Sequence, residues 1–353
     1  MKTGAQKSLV CYCGHPAQYH FLKHTIQNLK DAGWHVVVLI KTKDILEQLL
    51  QEDGVPYINI QPSVRKNNKL SILLASIART IVVYKIAKKH HADVLIGTDS
   101  SIAQAGWLLG KPAITTLEDD YDVIKHLARL TYPFTSHIVV PNVCSVGKWE
   151  QKKTGYDGYM KLAYLHPNYF TPSIDIVNAY HIDQPFVMVR MAKLAAHHDV
   201  GIGGLSLEQL SELIALIQSH GYRVYITSEI ALPETYKPYQ LHIRHTDIHH
   251  ILAFASLLIS DSQSMSVEAA MLGVPSVRYS DFSGRISVLE ELEKKYALTF
   301  GIKTTEPELL KSQVETLLSM PHLKDEWQKR RERMVREKID VTEFLTHFIE
   351  KFG

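Results

Sequence analysis

The chain has 353 residues, 45% of them hydrophobic, which is enough for two domains that each bury a core. Lysine and arginine number 39 against 37 aspartates and glutamates, and the resulting net charge of +2 excludes nucleic-acid binding through a strong positive field. Three cysteines are too few for a disulfide framework, and the 19 histidines show no zinc-site spacing. Neither a signal peptide nor an apolar run of about 18 residues occurs, so we expect a cytoplasmic protein.

Strands and helices alternate from the start of the chain, which predicts a parallel sheet with crossover helices. Apolar runs predict strands at 8–13, 35–40, 57–60, 94–97, 113–117 and 137–140. Helical spacing predicts helices at 21–32, 45–52, 69–89, 102–109 and 121–130. One doubly wound domain would be complete near the last of these strands.

The alternation stops between 155 and 180, where prolines, glycines and aromatic residues indicate a linker, and then resumes. Strands are predicted at 186–191, 223–227, 241–243, 257–260 and 276–279. Helices are predicted at 207–220, 248–255, 264–272, 286–295, 306–318, 323–338 and 341–352. The predicted fold class is therefore α/β, with Rossmann-like domains at 1–168 and 169–353 facing across a cleft, and the last helix is a candidate to pack back on the first domain.

The segment from Leu257 to Val277 combines a buried strand, a polar loop and a helix that ends at Gly273. Small hydroxyl residues at a strand-to-helix turn leave the first backbone N–H groups of the helix open, and those groups together with the helix dipole favour a phosphate. Glu268, about one turn into this helix, could accept two hydroxyl hydrogen bonds, as from a ribose. The alternative is an ordinary serine N-cap followed by a first-turn acid.

Polar residues follow three strands of the first half, at 14–20, 97–101 and 118–122. Because ligands of doubly wound sheets bind outside the carboxyl ends of the strands, we expect these loops to converge. A histidine beside carboxylates can transfer protons near neutral pH, which predicts a catalytic role for at least one of His15, Asp99 and Glu118. The alternative is helix capping by the histidine and solvated first turns for the acids.

In the second half, Arg190 ends the first predicted strand and is followed by the glycine-containing loop at 193–204. The glycines could let the backbone approach a phosphate, and the arginine could pair with it. The loop lacks the GxGxxG spacing, so this indication is weak.

The sequence SDSQSMSVEAAMLGVPSVR at 260–278 resembles the nucleotide-binding turn of the GT-B superfamily. It is most similar to the branch of non-hydrolysing UDP-N-acetylglucosamine 2-epimerases, whose motif runs SDS-G-G-x-x-x-E-A-x-x-L-G-x-P. The segment ADVLIGTDSSIAQAGWLLGKPAITTLEDD at 92–120 resembles the same branch, in the same order. The whole chain, including FSGRISVLEELEKKYALTFG, resembles the uncharacterised DUF354 family of the GT-B group.

The resemblance implies roles for particular residues. Glu268 would hold the ribose, and the diphosphate would bind Ser262, Gln263 and Ser264. Asp99 and Glu118 match positions of the catalytic acids of the epimerases. Three motifs depart from that branch: its opening G-T-R-P-E is GHPAQ at 14–18 here, its double glycine after SDS is Gln263-Ser264, and its H-R-x-E-N is absent around Arg190.

By this resemblance we expect a GT-B glycosyltransferase for surface polysaccharide or glycolipid synthesis. Its expected substrate is a nucleotide sugar, with a UDP-sugar as the first choice. The expected acceptor is a sugar or a lipid-linked sugar, and no cofactor or metal ion is expected. The departures favour transfer over the alternative, a 2-epimerase-like sugar epimerase. A catalytically silent GT-B module that binds a nucleotide or a protein partner is a further alternative, and peripheral membrane contact and a homodimer stay open.

Overall fold

The computed structural model describes residues 6–43, 45–61, 69–191, 204–229 and 231–353, with side chains described from residue 75 onward in the third of these ranges. The loop at 193–204 therefore lies outside the described residues, apart from Gly204. The chain divides into two compact units, Met1–Tyr164 with Ile339–Gly353, and Leu165–Lys338. The division falls between Tyr164 and Leu165 and groups the C-terminal segment with the first unit.

The first unit contains one parallel sheet. Its strands are β1 (Ser8–Cys13), β2 (His35–Ile40), β3 (Ile58–Asn59), β4 (Val94–Gly97), β5 (Ala113–Thr116), β6 (His137–Pro141) and β7 (Lys153–Tyr156). Its helices are α1 (Pro16–Asp31), α2 (Leu46–Glu52), α3 (Lys69–Lys89), α4 (Ser100–Leu109) and α5 (Lys125–Thr131), and α6 (Leu162–Leu165) leads into the second unit. The strand order is β3-β2-β1-β4-β5-β6-β7, which is the order of a Rossmann sheet with a seventh strand added. The order reverses between β1 and β4, and this switch point is where such sheets bind ligands.

The strands of this sheet are buried because helices cover it, which explains why they read as continuous apolar runs rather than alternating ones. All six residues of β1 are buried. On one face, Val83 of α3 and Ile102 of α4 join Val10 and Leu39 of the strands in a single apolar core. Helices α3 and α4 thus pack side by side on the same face of the sheet.

The second unit contains a five-stranded parallel sheet. Its strands are β8 (Phe186–Met191), β9 (Arg223–Ser228), β10 (Leu257–Ser260), β11 (Ser276–Tyr279) and β12 (Thr299–Ile302). Its helices are α7 (Ile174–Ala179), α8 (Leu207–Ser219), α9 (Ile248–Phe254), α10 (Gln263–Leu272), α11 (Ser287–Lys294), α12 (Pro307–Leu318) and α13 (Leu323–Glu337). The strand order β12-β11-β10-β8-β9 is the flavodoxin-like arrangement, with its switch point between β8 and β10.

The final helix, α14 (Val341–Glu350), packs within the first unit. The Thr342 hydroxyl donates a hydrogen bond to the Ala163 carbonyl at 2.7 Å, and Asn28 Nδ2 of α1 donates to Thr346 Oγ1 at 3.4 Å. Leu345 and Ile349 are fully buried on the same helix. These contacts attach the C-terminus of the chain to its first unit.

Several elements differ from the sequence-based prediction. The predicted strand at 241–243 is wrong: a 3-10 helix occupies Glu234–Tyr239, and only an isolated bridge joins Gln240 to Ile226. Strands β7 and β12 were not predicted, because each has four residues and an internal glycine, so neither forms an apolar run. Helix α1 begins at Pro16 rather than residue 21, since proline is favoured in the first turn, where its missing N–H is not needed.

Within the described ranges, none of the helices has the length and apolar character that crossing a membrane requires.

Candidate functional site

The start of α10 lies at the switch point of the second sheet. Ser260 at the end of β10 is the register partner of Arg190 on β8, and the Asp261 N–H donates to the Arg190 carbonyl at 3.4 Å. Ser262 is the N-cap, and its hydroxyl accepts a hydrogen bond from Met265 N at 3.4 Å. The sequence therefore predicted this strand, cap and helix correctly, and the fold brings Arg190 beside them.

Two backbone N–H groups remain open at this helix start. Among the residues that the structure describes, no acceptor faces the N–H of Gln263 or of Ser264. Gln263 Nε2 donates to Ser280 Oγ at 2.9 Å, which ties its side chain to the loop after β11, whereas its buried Oε1 has no donor in the described part of the chain. Ser264 is half-exposed. A helix start with open N–H groups favours an anion.

Glu268 is the predicted ribose ligand, and the structure places it on α10 with 8% of its surface exposed. Its Oε1 lies 3.5 Å from His249 Nε2 of α9, and both side chains are about one tenth exposed. The edge of the Phe170 ring meets the His249 ring at 6.2 Å between centroids. Glu268 is thus a largely buried carboxyl beside an imidazole, and its part in ribose binding stays a prediction.

A second arginine, which the sequence did not single out, lies on the same row of the sheet. Arg278 of β11 is the other register partner of Ser260, so Arg190 and Arg278 flank Ser260 and share its face of the sheet. Arg190 Nη2 donates to Glu229 Oε1 at 2.7 Å.

Arg278 is fully buried, and none of its three guanidinium nitrogens has an acceptor within the described ranges. Burial lowers the pKa of Arg278, and the charges of Glu293 and Glu290 oppose that shift. A buried cation without hydrogen bonds is costly, which makes Arg278 a residue that a bound anion or ordered water would satisfy. The only signal in the sequence was a charged residue inside the short apolar strand SVRY.

In the first unit, His15 and Asp99 follow the two strands that flank the switch point, β1 and β4. His15 is exposed, and its Nδ1 accepts from Ala17 N at 3.2 Å as the N-cap of α1. Asp99 is the N-cap of α4, accepting from Ser101 N at 2.9 Å, and its Oδ1 lies 3.2 Å from Arg79 Nε. Both residues therefore make the capping contacts of the alternative interpretation, and their catalytic roles stay predictions.

Glu118 follows β5, the next strand of the sheet, and is held from two sides. Its Oε1 accepts from Met160 N at 2.7 Å, and its Oε2 pairs with Lys161 Nζ at 2.6 Å. The two side chains are 12% and 7% exposed. Such a pair fixes the carboxylate in position, so any proton transfer by Glu118 would have to overcome this ion pair.

The neighbouring Asp119 is in a different state. Burial and the adjacent Glu118 charge raise the pKa of the Asp119 carboxyl, against an opposing effect of Lys161. Within the described part of the chain, Asp119 has no hydrogen bond or ion pair of its own. A partly buried carboxyl with a raised pKa at the carboxyl end of a strand is a candidate acid or base, although only its neighbour Glu118 was predicted as a site residue. No group of three or more metal-ligating side chains occurs among the described residues.

Comparisons with known proteins bear on the fold. No protein-family model and no curated protein matches the sequence, so the resemblance to the DUF354 family stays a prediction. UDP-GlcNAc 2-epimerase from Neisseria meningitidis, in a structure bound to UDP-GlcNAc, matches with a TM-score of 0.63 and 12% identity over 98% of this chain and 100% of that one. A glycosyltransferase from Rickettsia africae matches with a TM-score of 0.64 and 12% identity over 99% of this chain and 98% of that one. MurG from Acinetobacter baumannii matches with a TM-score of 0.59 and 16% identity over 98% of this chain and 99% of that one.

These similarities cover nearly the full length of each chain, while the sequences have diverged to 12% to 16% identity. At that distance they establish the architecture. The chain has the GT-B fold, an α/β fold of two Rossmann-like domains, as the sequence predicted.

Proposed function

We propose that this protein binds a nucleotide sugar, a UDP-sugar in the first instance, and transfers the sugar to a sugar or lipid-linked acceptor. The observation that carries the binding proposal is the open start of α10 at the switch point between β8 and β10. The unoccupied N–H groups of Gln263 and Ser264 would receive the diphosphate, and the helix dipole adds to the attraction. Arg190, on the adjacent strand end, would neutralise part of its charge.

The solved relatives support the choice of ligand. One of the matching structures is described as bound to UDP-GlcNAc, and another as a complex with UDP. Their identities to this chain are 12% and 11%, so the nucleobase and the sugar are part of our proposal and not of the comparison. Glu268 would hold the ribose from the interior of α10.

Transfer is favoured over epimerisation by the residues at the strand ends of the first unit. Transfer requires one base to deprotonate the acceptor hydroxyl, and the exposed His15 at the end of β1 is our candidate because histidine is the commonest general base in enzymes. The epimerase motifs G-T-R-P-E and H-R-x-E-N are absent. Surface polysaccharide or glycolipid synthesis is the setting that we propose for this reaction.

One observation favours epimerisation as the second candidate. Epimerisation at C2 needs two acid/base groups on opposite sides of the sugar carbon. Asp119 has a raised pKa and lies beside Glu118, so the first unit holds one carboxyl that binds a proton more readily than usual next to a second carboxyl held by Lys161. These two groups could share the proton transfers.

A panel of nucleoside diphosphates and their sugars tests binding by thermal shift and calorimetry. At about 100 times the dissociation constant, a true ligand should add roughly 2.7 kcal/mol to the free energy of unfolding. Failure of every nucleotide to stabilise the protein would refute the proposal. Stabilisation by a phosphate-free nucleoside as strong as that by its diphosphate would contradict the role given to α10.

The best-binding UDP-sugar then separates the reactions. In deuterated water without acceptor, an epimerase incorporates deuterium at C2, whereas a transferase leaves C2 unlabelled and releases UDP only when an acceptor is added. NMR of the sugar distinguishes the two results. Tight binding with neither result, across an acceptor panel, would indicate a catalytically silent module and contradict both enzyme proposals.

A further inference from the structure

Three helices of the first unit expose large apolar side chains to solvent. On α3, α4 and α5 these residues and their exposed fractions are Ile77 50%, Ile81 48%, Val82 36%, Trp107 61%, Leu108 56% and Leu130 52%. We call these six residues the apolar patch. Half-exposed Leu or Ile side chains are common singly, but a group of them on adjacent helices marks an interaction surface.

Hydrogen bonds beneath the patch show that its residues are neighbours. Thr80 Oγ1 of α3 donates to Gln104 Oε1 of α4 at 2.9 Å, and Gln104 Nε2 donates to the Leu130 carbonyl of α5 at 3.2 Å. Ile77 and Ile81 lie within one helical turn of Thr80, and Trp107 and Leu108 lie one turn after Gln104. The patch therefore runs across all three helices.

The apolar residues of the patch do not serve the core. Helix α3 packs on the sheet through Val83 and Ala87, and α4 does so through Ile102 and Ala105. Both helices thus carry large apolar side chains on the outer side as well as the inner side. Apolar side chains on the outer side of a helix indicate that this side is covered as well.

Charge around the patch is strongly one-sided, although the chain as a whole is nearly neutral. Helix α3 contains no acidic residue, and its described basic side chains are Arg79, which pairs with Asp99, and Lys85, Lys88 and Lys89. Helices α4 and α5 also contain no acidic residue. The last three lysines of that list are exposed on the C-terminal turns of α3 and have no acidic partner among the described residues.

We propose that the apolar patch docks on an anionic membrane surface, with Trp107 and its neighbours entering the interface and the α3 lysines facing the lipid headgroups. Apolar side chains bordered by lysine and without acids fit an anionic bilayer, where each basic residue adds to binding. A protein interface fits less well, since lysine is depleted there. An exposed tryptophan is typical of the boundary between lipid and water. This proposal does not depend on the nucleotide sugar.

Flotation with vesicles tests the proposal on the full-length protein. We expect binding to vesicles of 70% phosphatidylcholine and 30% phosphatidylglycerol, weak binding to phosphatidylcholine alone, and loss of binding at high salt. The charge variant Lys85→Gln/Lys88→Gln/Lys89→Gln should bind roughly 100-fold more weakly, at about fivefold for each lysine. A control with three exposed lysines of the second unit replaced, Lys303→Gln/Lys324→Gln/Lys329→Gln, should bind as the wild type does.

The apolar side of the proposal has its own matched pair. The patch variant Ile81→Gln/Trp107→Gln/Leu108→Gln should lose vesicle binding by at least about 100-fold, because each side chain no longer transfers into the apolar phase. The control is Ile174→Gln/Leu207→Gln/Leu309→Gln in the second unit. The side chains that it replaces are 49%, 37% and 47% exposed, which is similar to the residues of the patch. The control should keep wild-type binding. Thermal melting of all variants verifies that each is folded.

Tryptophan fluorescence reports the docking directly. Trp107 is 61% exposed, whereas Trp34 and Trp327 are 5% and 1% exposed and Trp149 is half-buried, so Trp107 is the tryptophan that reports most on the surface. Anionic vesicles should shift the emission to shorter wavelength, and Trp107→Phe should abolish that shift while vesicle binding stays within about threefold.

Three results would overturn the proposal. The first is no binding to anionic vesicles, and the second is binding that the patch variant retains. The third is a wild-type protein that does not bind vesicles and that light scattering shows to be a dimer, while the patch variant is a monomer. This result would assign the patch to a second copy of the chain.

Discussion

Replacing Gln263 with proline removes one backbone N–H from the start of α10 and leaves the helix intact. Gln263 is the first residue of the helix, where proline is favoured because its N–H is not needed by the helix. The preceding Ser262 has φ −85° and ψ 123°, which is the extended conformation that a residue before proline adopts. The substitution is therefore compatible with the observed backbone.

The matched control is Gln263→Ala, which keeps the N–H. Both variants lose the side-chain hydrogen bond to Ser280 Oγ, so both should lose about 1 kcal/mol of stability from that contact. The difference between them isolates the backbone group. A hydrogen bond to a charged phosphate contributes about 1.5 to 3 kcal/mol, so proline should weaken nucleotide binding about 10- to 100-fold relative to alanine.

Calorimetric titration of UDP into the two variants measures this difference. The uncharged nucleoside uridine serves as the reference ligand, because its affinity should be the same for both variants. Equal UDP affinities for the proline and alanine variants, with equal melting temperatures, would refute phosphate binding at the start of α10. A nucleotide could then still bind elsewhere in the chain.

Four further substitutions probe the buried acids and the lysine paired with Glu118. Glu268→Gln should weaken nucleotide binding by about 1 to 3 kcal/mol in the same titration, and unchanged affinity in a folded variant would remove Glu268 from the site. The pKa of Asp119 is raised above 3.8 in the folded protein, so ionisation of this carboxyl lowers the stability of the fold as the pH rises. Asp119→Asn should therefore raise the melting temperature at pH 7. This gain should vanish below about pH 3.8. A lower melting temperature at pH 7 would contradict this. Lys161→Met leaves the Glu118 carboxylate buried without its cation and should lower the free energy of unfolding by about 3 to 5 kcal/mol, measured with denaturant. Adding Glu118→Gln should restore part of this stability. A loss below about 1 kcal/mol would show that the pair contributes little.

The strands and helices were largely accessible from the sequence, because their signals are local. The run at 257–260 is apolar and ends at a serine that caps α10, and Gly273 adopts φ 70° where the helix ends, a left-handed conformation that favours glycine. Alternation of such elements was sufficient for the α/β class and for two Rossmann-like domains, whereas the GT-B fold was implied by the resemblance of the segment at 260–278. Local signals failed where an element is short, as in β7 and β12, or where hydrophobic residues lie outside a ladder, as at 241–243.

The candidate site was accessible only in part. The cap of α10 and the polar strand ends of the first unit were predicted from residue order alone. The placement of Arg278 beside Ser260 was not, because it depends on the register between β10 and β11. The partner of Glu118 lies 43 residues further along the chain, and no local pattern relates the two.

What the sequence by itself determined about this protein is the order of its elements and the positions of their caps, since these depend on interactions within a few residues. Tertiary structure alone decided which charges meet and which apolar residues stay outside. Ile81 and Val83 are both apolar residues of α3, yet the first is 48% exposed and the second fully buried. Only the packing of α3 on the sheet distinguishes them, because a helix with apolar residues on both sides does not show from these residues alone which side faces the core.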